Sequence, residues 1–306
     1  MKKKTKGGKK EGSGGFGPLK RLCAFLLAAL LLAPAAAYGA YMPSFQPASR
    51  GVYLENTDTG KLIFEQNAGE KMEAGYLAKL MTALMTVEYM EEKGLSLDDE
   101  KVALKLYIQN LVYGSANLGG ILQGEEVSVR GLLYAMLLQS ANEAAMMLGD
   151  YIGDGSVGHF ADLMNRRAAE LGCTGTTFTD PAGFHDDDPA ENNWTTPRDM
   201  GIIFRRVMEN DTLRQILQSR SYDIGPTNKH GSLNQFNYTN AMMSTASDYY
   251  YAPVDGGFIS VVSGQKAGIA VMASTGGYSY LLVLLESPQG ADLAGTRDTL
   301  YTEAKN

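Results

Sequence analysis

Cysteine is scarce in this 306-residue chain: there are two, Cys23 and Cys173, and only Cys173 lies beyond residue 40. No disulfide can therefore form within residues 41–306, and a lone thiol reads as an inert buried residue rather than a nucleophile. The three histidines, His159, His185 and His230, are scattered and lack a metal-ligand spacing, so they read as surface or packing residues. Internal repeats and an interdomain linker are absent. No apolar run reaches the roughly 20 residues that a spanning helix needs. Positive charge is also short, with 27 Lys and Arg against 34 Asp and Glu. That balance argues against a nucleic-acid partner and leaves a small or sugar-linked substrate open.

What basic charge exists is concentrated at the start. Residues Lys2 to Arg21 lead into "LCAFLLAALLLAPAAAYGA", a short apolar run closed by proline and small residues, which has the pattern of an export signal. Cleavage sites after Ala37, Gly39 or Ala40 fit it, and an uncleaved N-terminal membrane anchor is the alternative. Cys23 stands at the front of the run, not at a cleavage point, which argues against a lipid-anchored cysteine. Without residues 1–40 the chain loses eight basic residues and one acidic one, so its formal charge moves from −7 to about −14. With 44% hydrophobic residues it is long enough to bury a sizeable core.

Beyond the leader, "GVYLENTDTGKLIFEQN" alternates apolar and polar residues around Thr57-Asp58-Thr59-Gly60 and predicts a β-hairpin. A helix follows over about Gly75 to Lys93, and the pieces between Asp98 and Val129 are short and irregular. "VRGLLYAMLLQSANEAAMMLGDYI" gives two helical stretches interrupted at Gln139-Ser140-Ala141-Asn142. A further helix over about Gly158 to Leu171 ends at Gly172. Thr196-Pro197-Arg198-Asp199 opens the next one with a capping threonine, a proline at the first helical position and an acid in the first turn. "GIAVMAST" and "SYLLVLLES" are strands joined at Gly276-Gly277, and "ADLAGTRDTLYTEAKN" is a last helix. Strands at both ends and helices between predict a sheet built from both chain ends with helices packed on it.

One charge in this pattern is out of place. Lys79 opens an otherwise apolar helical run, and Tyr76 stands three residues earlier on the same face. A lysine so placed is either held for chemistry or reaches along the surface to water.

"LENTDTGKLIFEQNAGEKMEAGYLAKLMTAL", with "LLYAMLLQSANEAAMML", "TTFTDPAGF" and "TTPRDMGIIFRRVM" in that order, resembles the serine-type D-alanyl-D-alanine carboxypeptidases of bacterial cell-wall maturation. These belong to the penicillin-binding protein and β-lactamase superfamily. The resemblance covers about Ser49 to Asp298. It implies an α+β, β-lactamase/transpeptidase-like fold: an antiparallel sheet flanked by helices, plus an all-helical subregion. Such enzymes carry S-x-x-K, S-x-N and K-T-G. The resemblance implies acyl transfer, with the first serine attacking a D-Ala-D-Ala carbonyl and the motif lysine as its base. The second serine relays protons, the asparagine orients substrate, and the K-T-G strand binds the terminal carboxylate and edges the oxyanion hole.

Two of the three elements are altered here. Lys79 matches the motif lysine, but the nucleophile position is Tyr76. A phenol oxygen lies roughly 4 Å further from the backbone than a serine oxygen. Misplacement by about 1 Å can already cost on the order of a hundredfold in rate. The ring also takes the place of the scissile carbonyl. Ser140-Ala141-Asn142 keeps the second element between two helices, whereas Ser115-Ala116-Asn117 spells the same letters in a loop. Ser140 and Asn142 then either keep a ligand contact or only cap helices and tie the loop together. "VDGGFISVVSGQKAGIAVMAS" puts Phe258-Ile259-Ser260 where K-T-G belongs, so an apolar pair replaces the carboxylate-binding lysine and threonine. Lys266-Ala267-Gly268 is the alternative register, and it also lacks the threonine. Losing the nucleophile of a serine hydrolase forfeits on the order of a millionfold in turnover.

The expectation is one exported domain over residues 41–306, without a C-terminal β-domain and without cofactor or metal. It is a degenerate homologue whose partner is the peptidoglycan stem peptide or a cell-wall enzyme, with a membrane tether, if any, through the N-terminal segment. The alternative is a weak carboxypeptidase or esterase that uses Ser140, or Tyr76, with Lys79. Asp186-Asp187-Asp188 reads as a solvated acidic turn rather than a calcium site. Tyr249-Tyr250-Tyr251 reads either as a sugar-stacking patch or as core or a strand edge.

Overall fold

The computed structural model describes residues 46–115, 118–231, 235–261, 267–288 and 293–305. The leader expected over residues 1–40 lies outside them, as does Lys266. No helix among the described residues is long and apolar enough to cross a membrane.

The predicted hairpin forms as β1 (Gly51–Asn56) and β2 (Lys61–Gln66), closed by a turn in which the Asn56 side chain accepts from the Thr59 N–H (3.0 Å). After a two-residue β3 (Met72–Glu73), a 3-10 turn over Gly75–Leu77 runs straight into α1 (Ala78–Lys93). Leu80, Met81, Ala83, Leu84, Val87 and Met90 of α1 are all buried, the signature of a helix enclosed on nearly every side. Gly94 ends α1 in the left-handed conformation (φ +64°), its N–H closing onto Glu91 and Met90 carbonyls.

The stretch expected to be irregular contains β4 (Lys101–Ala103), α2 (Leu106–Leu111) and β5 (Glu126–Ser128), with β4 and β5 paired. Then come α3 (Val129–Gln139), α4 (Asn142–Ile152) and α5 (Val157–Glu170). Strand β6 (Trp194–Thr195) pairs with β3. Helix α6 (Pro197–Glu209) starts as the sequence predicts, with Thr196 Oγ1 accepting from the Asp199 N–H (3.1 Å). Helix α7 (Asp211–Gln218) and the pair β7 (Ser221–Asp223) and β8 (Gln235–Asn237) follow. Strands β9 (Val254–Ser260), β10 (Ala267–Thr275) and β11 (Tyr278–Ser287) and the closing α8 (Leu293–Lys305) complete the chain.

The main sheet is antiparallel with order β2-β1-β11-β10-β9, so the N-terminal hairpin docks on the C-terminal strands as expected. Its two chain ends are tied by a buried carboxylate: Glu303 of α8 accepts from the Ser49 N–H (2.7 Å), Ser49 Oγ (2.6 Å) and Ser287 Oγ (2.9 Å). Core residues of α1, α3, α4 and α6 pack together and onto one face of the sheet. Strand β9 is an edge strand of that sheet, and its C-terminal end abuts the 3-10 turn that carries Tyr76.

Candidate active site

Three segments converge on Lys79. It lies in the first turn of α1 and its side chain is fully buried. Its Nζ donates to Asn142 Oδ1 (2.8 Å) and to the Ala182 carbonyl (2.7 Å), and sits 3.7 Å from the centroid of the Tyr76 ring. Burial drives the Lys79 pKa down to about 7, against the pull of the Asp180 and Glu143 carboxylates. A neutral amine is therefore available near neutrality, as a general base requires.

The break between α3 and α4 supplies Asn142. Ser140 adopts the left-handed conformation (φ +57°) and turns the chain so that α4 begins at Asn142. Asn142 Nδ2 donates to the Tyr76 hydroxyl (3.3 Å) and to Ser115 Oγ (3.2 Å). Ser140 Oγ is buried and has no hydrogen-bond partner among the described residues. Glu143, next in the chain, accepts from the Gly119 N–H (2.6 Å) and so ties residue 119 to α4.

The third segment is the turn at Asp180-Pro181-Ala182-Gly183. Asp180 Oδ1 accepts from the N–H groups of Ala182 and Gly183, both at 2.7 Å. This fixes the turn with the Ala182 carbonyl toward Lys79. Gly183 (φ +83°) passes so close to the 3-10 turn that a Cβ there would lie 1.9 Å from the Gly75 carbonyl oxygen.

Tyr76 fills the space between these parts and is 2% exposed. Burial raises the pKa of its phenol, and the Asn142 hydrogen bond only partly offsets that. Among the described residues Lys79 makes no hydrogen bond to this hydroxyl: the amine meets the ring face instead. The backbone N–H of Tyr76 donates to Ser260 Oγ (2.9 Å). On β9, Phe258 and Ile259 are 2% and 6% exposed and pack into two different apolar clusters, so neither offers a polar group. Ala267 and Gly268 lie one strand further in, on β10, where Gly268 is opposite Ser260.

The sequence names Tyr76, Lys79, Ser140, Asn142 and Phe258-Ile259-Ser260. The structure joins Tyr76, Lys79, Asn142 and Ser260 through hydrogen bonds, whereas the Ser140 hydroxyl has no hydrogen-bond partner among the described residues and Phe258 and Ile259 lie in apolar clusters. Ser115, set aside as a loop look-alike, touches Asn142. The Ala182 carbonyl could not be read from residue type, although Asp-Pro-x-Gly is a recognisable turn pattern that could have flagged its loop. Elsewhere, Cys173 is buried and its thiol pKa is pushed up to about 12, chiefly by burial. His185 pairs with Glu73 (3.1 Å), His230 with Glu125 (2.8 Å), and His159 meets the Gly153 carbonyl (3.2 Å). Asp188 caps a 3-10 turn over Pro189–Glu191, and Tyr249 packs against Tyr301 with ring centroids 5.3 Å apart.

A sheet with β9 at its edge, a buried helix entered through Tyr76-x-x-Lys79 and a helix break at Ser140-Ala141-Asn142 define the α+β fold of the penicillin-binding proteins. Residues 41–277 match the peptidase S11 family, D-alanyl-D-alanine carboxypeptidase, and the chain belongs to that family. The D-alanyl-D-alanine carboxypeptidase of Streptomyces sp. strain K15 is 29% identical over 208 residues, covering 65% of this chain and 69% of the relative. DacF of Bacillus subtilis is 26% identical over 205 residues, 64% of this chain but only 49% of its own length. The crystal structure of the Streptomyces K15 DD-transpeptidase superposes with a TM-score of 0.73 at 26% identity, over 86% of this chain and 96% of that one.

Proposed function

We propose that this chain is a non-catalytic D-alanyl-D-alanine carboxypeptidase homologue that acts outside the cytoplasm in cell-wall metabolism. Its role is binding, and its partner is the peptidoglycan stem peptide or a cell-wall enzyme. The observation that carries the reading is Tyr76: a buried neutral phenol, held by Asn142, stands where the attacking hydroxyl belongs, and the base Lys79 faces its ring. Covalent catalysis needs a nucleophile within hydrogen-bond reach of its base. The apolar pair Phe258 and Ile259 at the carboxylate-binding position supports the same reading. The leader pattern over residues 1–40 supports export, with the N-terminal segment as the tether where it is retained.

The test is intact-protein mass spectrometry of the purified chain after incubation with a labelled penicillin, paired with D-alanine release from a D-Ala-D-Ala pentapeptide. No adduct and no release above buffer are expected. Release at family-like rates would sink the proposal. The Ser140 hydroxyl, without a hydrogen-bond partner among the described residues, favours one second reading, weak carboxypeptidase or esterase activity from Ser140 with Lys79 as base. An adduct mapped to Ser140 and lost in Ser140→Ala would establish it.

A further inference from the structure

Acyl transfer to a side-chain oxygen needs more than the oxygen. The carbonyl under attack becomes an oxyanion, and backbone N–H groups aimed at it supply a large share of the rate. The N–H of the nucleophile residue itself is a natural donor, because attack by that residue's side chain brings the carbonyl oxygen over its own backbone. Here that group is the N–H of residue 76, and it is already taken, donating 2.9 Å to Ser260 Oγ inside the protein.

The contact is built in from both sides. Ser260 occupies the third place of the K-T-G element, where glycine would leave the N–H without a side-chain acceptor. It is 2% exposed, held at the end of β9 by its pairing with Gly268 on β10. On the other side, Gly75 has φ +49°, and a Cβ at that position would lie 2.9 Å from Ser260 Oγ. Only a residue without a side chain lets the hydroxyl come this close.

We infer that Ser260 is a built-in plug of the oxyanion site: its hydroxyl oxygen sits where the oxygen of a bound acyl carbonyl would be held. The site is thus closed twice, by the Tyr76 ring at the attacking position and by Ser260 at the anion-binding position. The two closures are independent, so restoring a hydroxyl at residue 76 leaves the second in place. This deepens the non-catalytic reading above and rests on it.

The test uses p-nitrophenyl acetate, a neutral ester that needs no carboxylate-binding lysine, with the full chain as wild type, Tyr76→Ser, Tyr76→Ser/Ser260→Gly and Tyr76→Ser/Ser260→Ala. The introduced hydroxyl attacks the ester carbonyl, its proton passes to the neutral Lys79 amine, the bond to the aryl oxygen breaks and p-nitrophenolate leaves. Acylation is followed by the yellow burst and by a 42 Da mass increase mapped to residue 76, the mass of an acetyl group replacing hydrogen, roughly. Each double variant should acylate on the order of a hundredfold faster than Tyr76→Ser, the scale of one oxyanion donor. A gain under about tenfold in both double variants overturns the plug. The alanine variant decides where glycine loosens β9, and a merely structural role for Ser260 would lower the melting temperature without raising the rate. Penicillin acylation or D-alanine release by the wild-type chain would instead overturn the non-catalytic reading, so the two failures are told apart.

Discussion

Lys79 presents its amine to the face of the Tyr76 ring, 3.7 Å from the centroid, while the phenol oxygen takes its hydrogen bond from Asn142 Nδ2 at 3.3 Å. Base and hydroxyl thus belong to one cluster without forming a proton-transfer pair. The aromatic face favours a cation there, whereas burial opposes it and prevails, holding the pKa near 7.

That depressed pKa fixes the sign of a pH effect on stability. Below about pH 7 the Lys79 amine is protonated in folded and unfolded chains alike, and the cost of burying the charge is constant. Between about 7 and the ordinary 10.5 the folded chain has released the proton that the unfolded chain still holds, so stability rises with pH. The slope is about 1 kcal/mol per pH unit. Melting curves of wild type and Lys79→Met at pH 6.5, 8 and 9.5 should show the wild type gaining on the variant as pH rises. Parallel trends would mean that the amine is not buried as described.

Ser140 combines a left-handed backbone (φ +57°) with a buried hydroxyl that has no hydrogen-bond partner among the described residues. Glycine removes both costs. Ser140→Gly should stabilise the protein by about 1 kcal/mol. For a domain of this size that is a rise of about 3 °C in melting temperature by calorimetry. A loss of stability would show that the hydroxyl has a partner.

Gly183 allows the Asp180–Gly183 turn to pass over Gly75. Gly183→Ala brings a Cβ to within 1.9 Å of the Gly75 carbonyl oxygen at φ +83°, a conformation already unfavourable for alanine. The expected loss is about 3 kcal/mol or more, read as a lower urea midpoint. An unchanged midpoint would place the turn away from residue 75.

Cys173 is 2% exposed, donates to the Asp199 carbonyl (3.6 Å) and has a thiol pKa near 12. Thiolate, not thiol, reacts with iodoacetamide, so at pH 8 Cys173 should stay unlabelled in the folded chain and label fully in urea. Peptide mapping separates it from Cys23. Rapid labelling of the native protein would count against an inert, buried thiol.

Long elements were legible because their periodicity is local. The 51–66 hairpin, α1, the helix pair around Ser140–Asn142, α6 with its Thr196 cap, and the last two strands stand where the patterns place them. Strands β3 to β8 are two or three residues each, too short to show a period, and exist because a partner strand lies beside them. Ser115 differs from Ser140 by its position in the chain, whereas its contact with Asn142 Nδ2 (3.2 Å) joins residues 27 apart and exists only in the folded protein.

By itself the sequence determined that residue 76 carries no aliphatic hydroxyl, that Lys79 and Asn142 remain, and that lysine and threonine are missing ahead of Ser260. These are properties of residue types at fixed positions, and they suffice to connect the chain to its family. Only the tertiary structure decided where the Tyr76 ring lies, which groups receive the Lys79 amine, and that the N–H of residue 76 is capped. The partners responsible, Ala182 and Ser260, are 103 positions from Lys79 and 184 from Tyr76. Contacts over such separations are set by how β9 and the Asp180 turn close on α1, which no local pattern records.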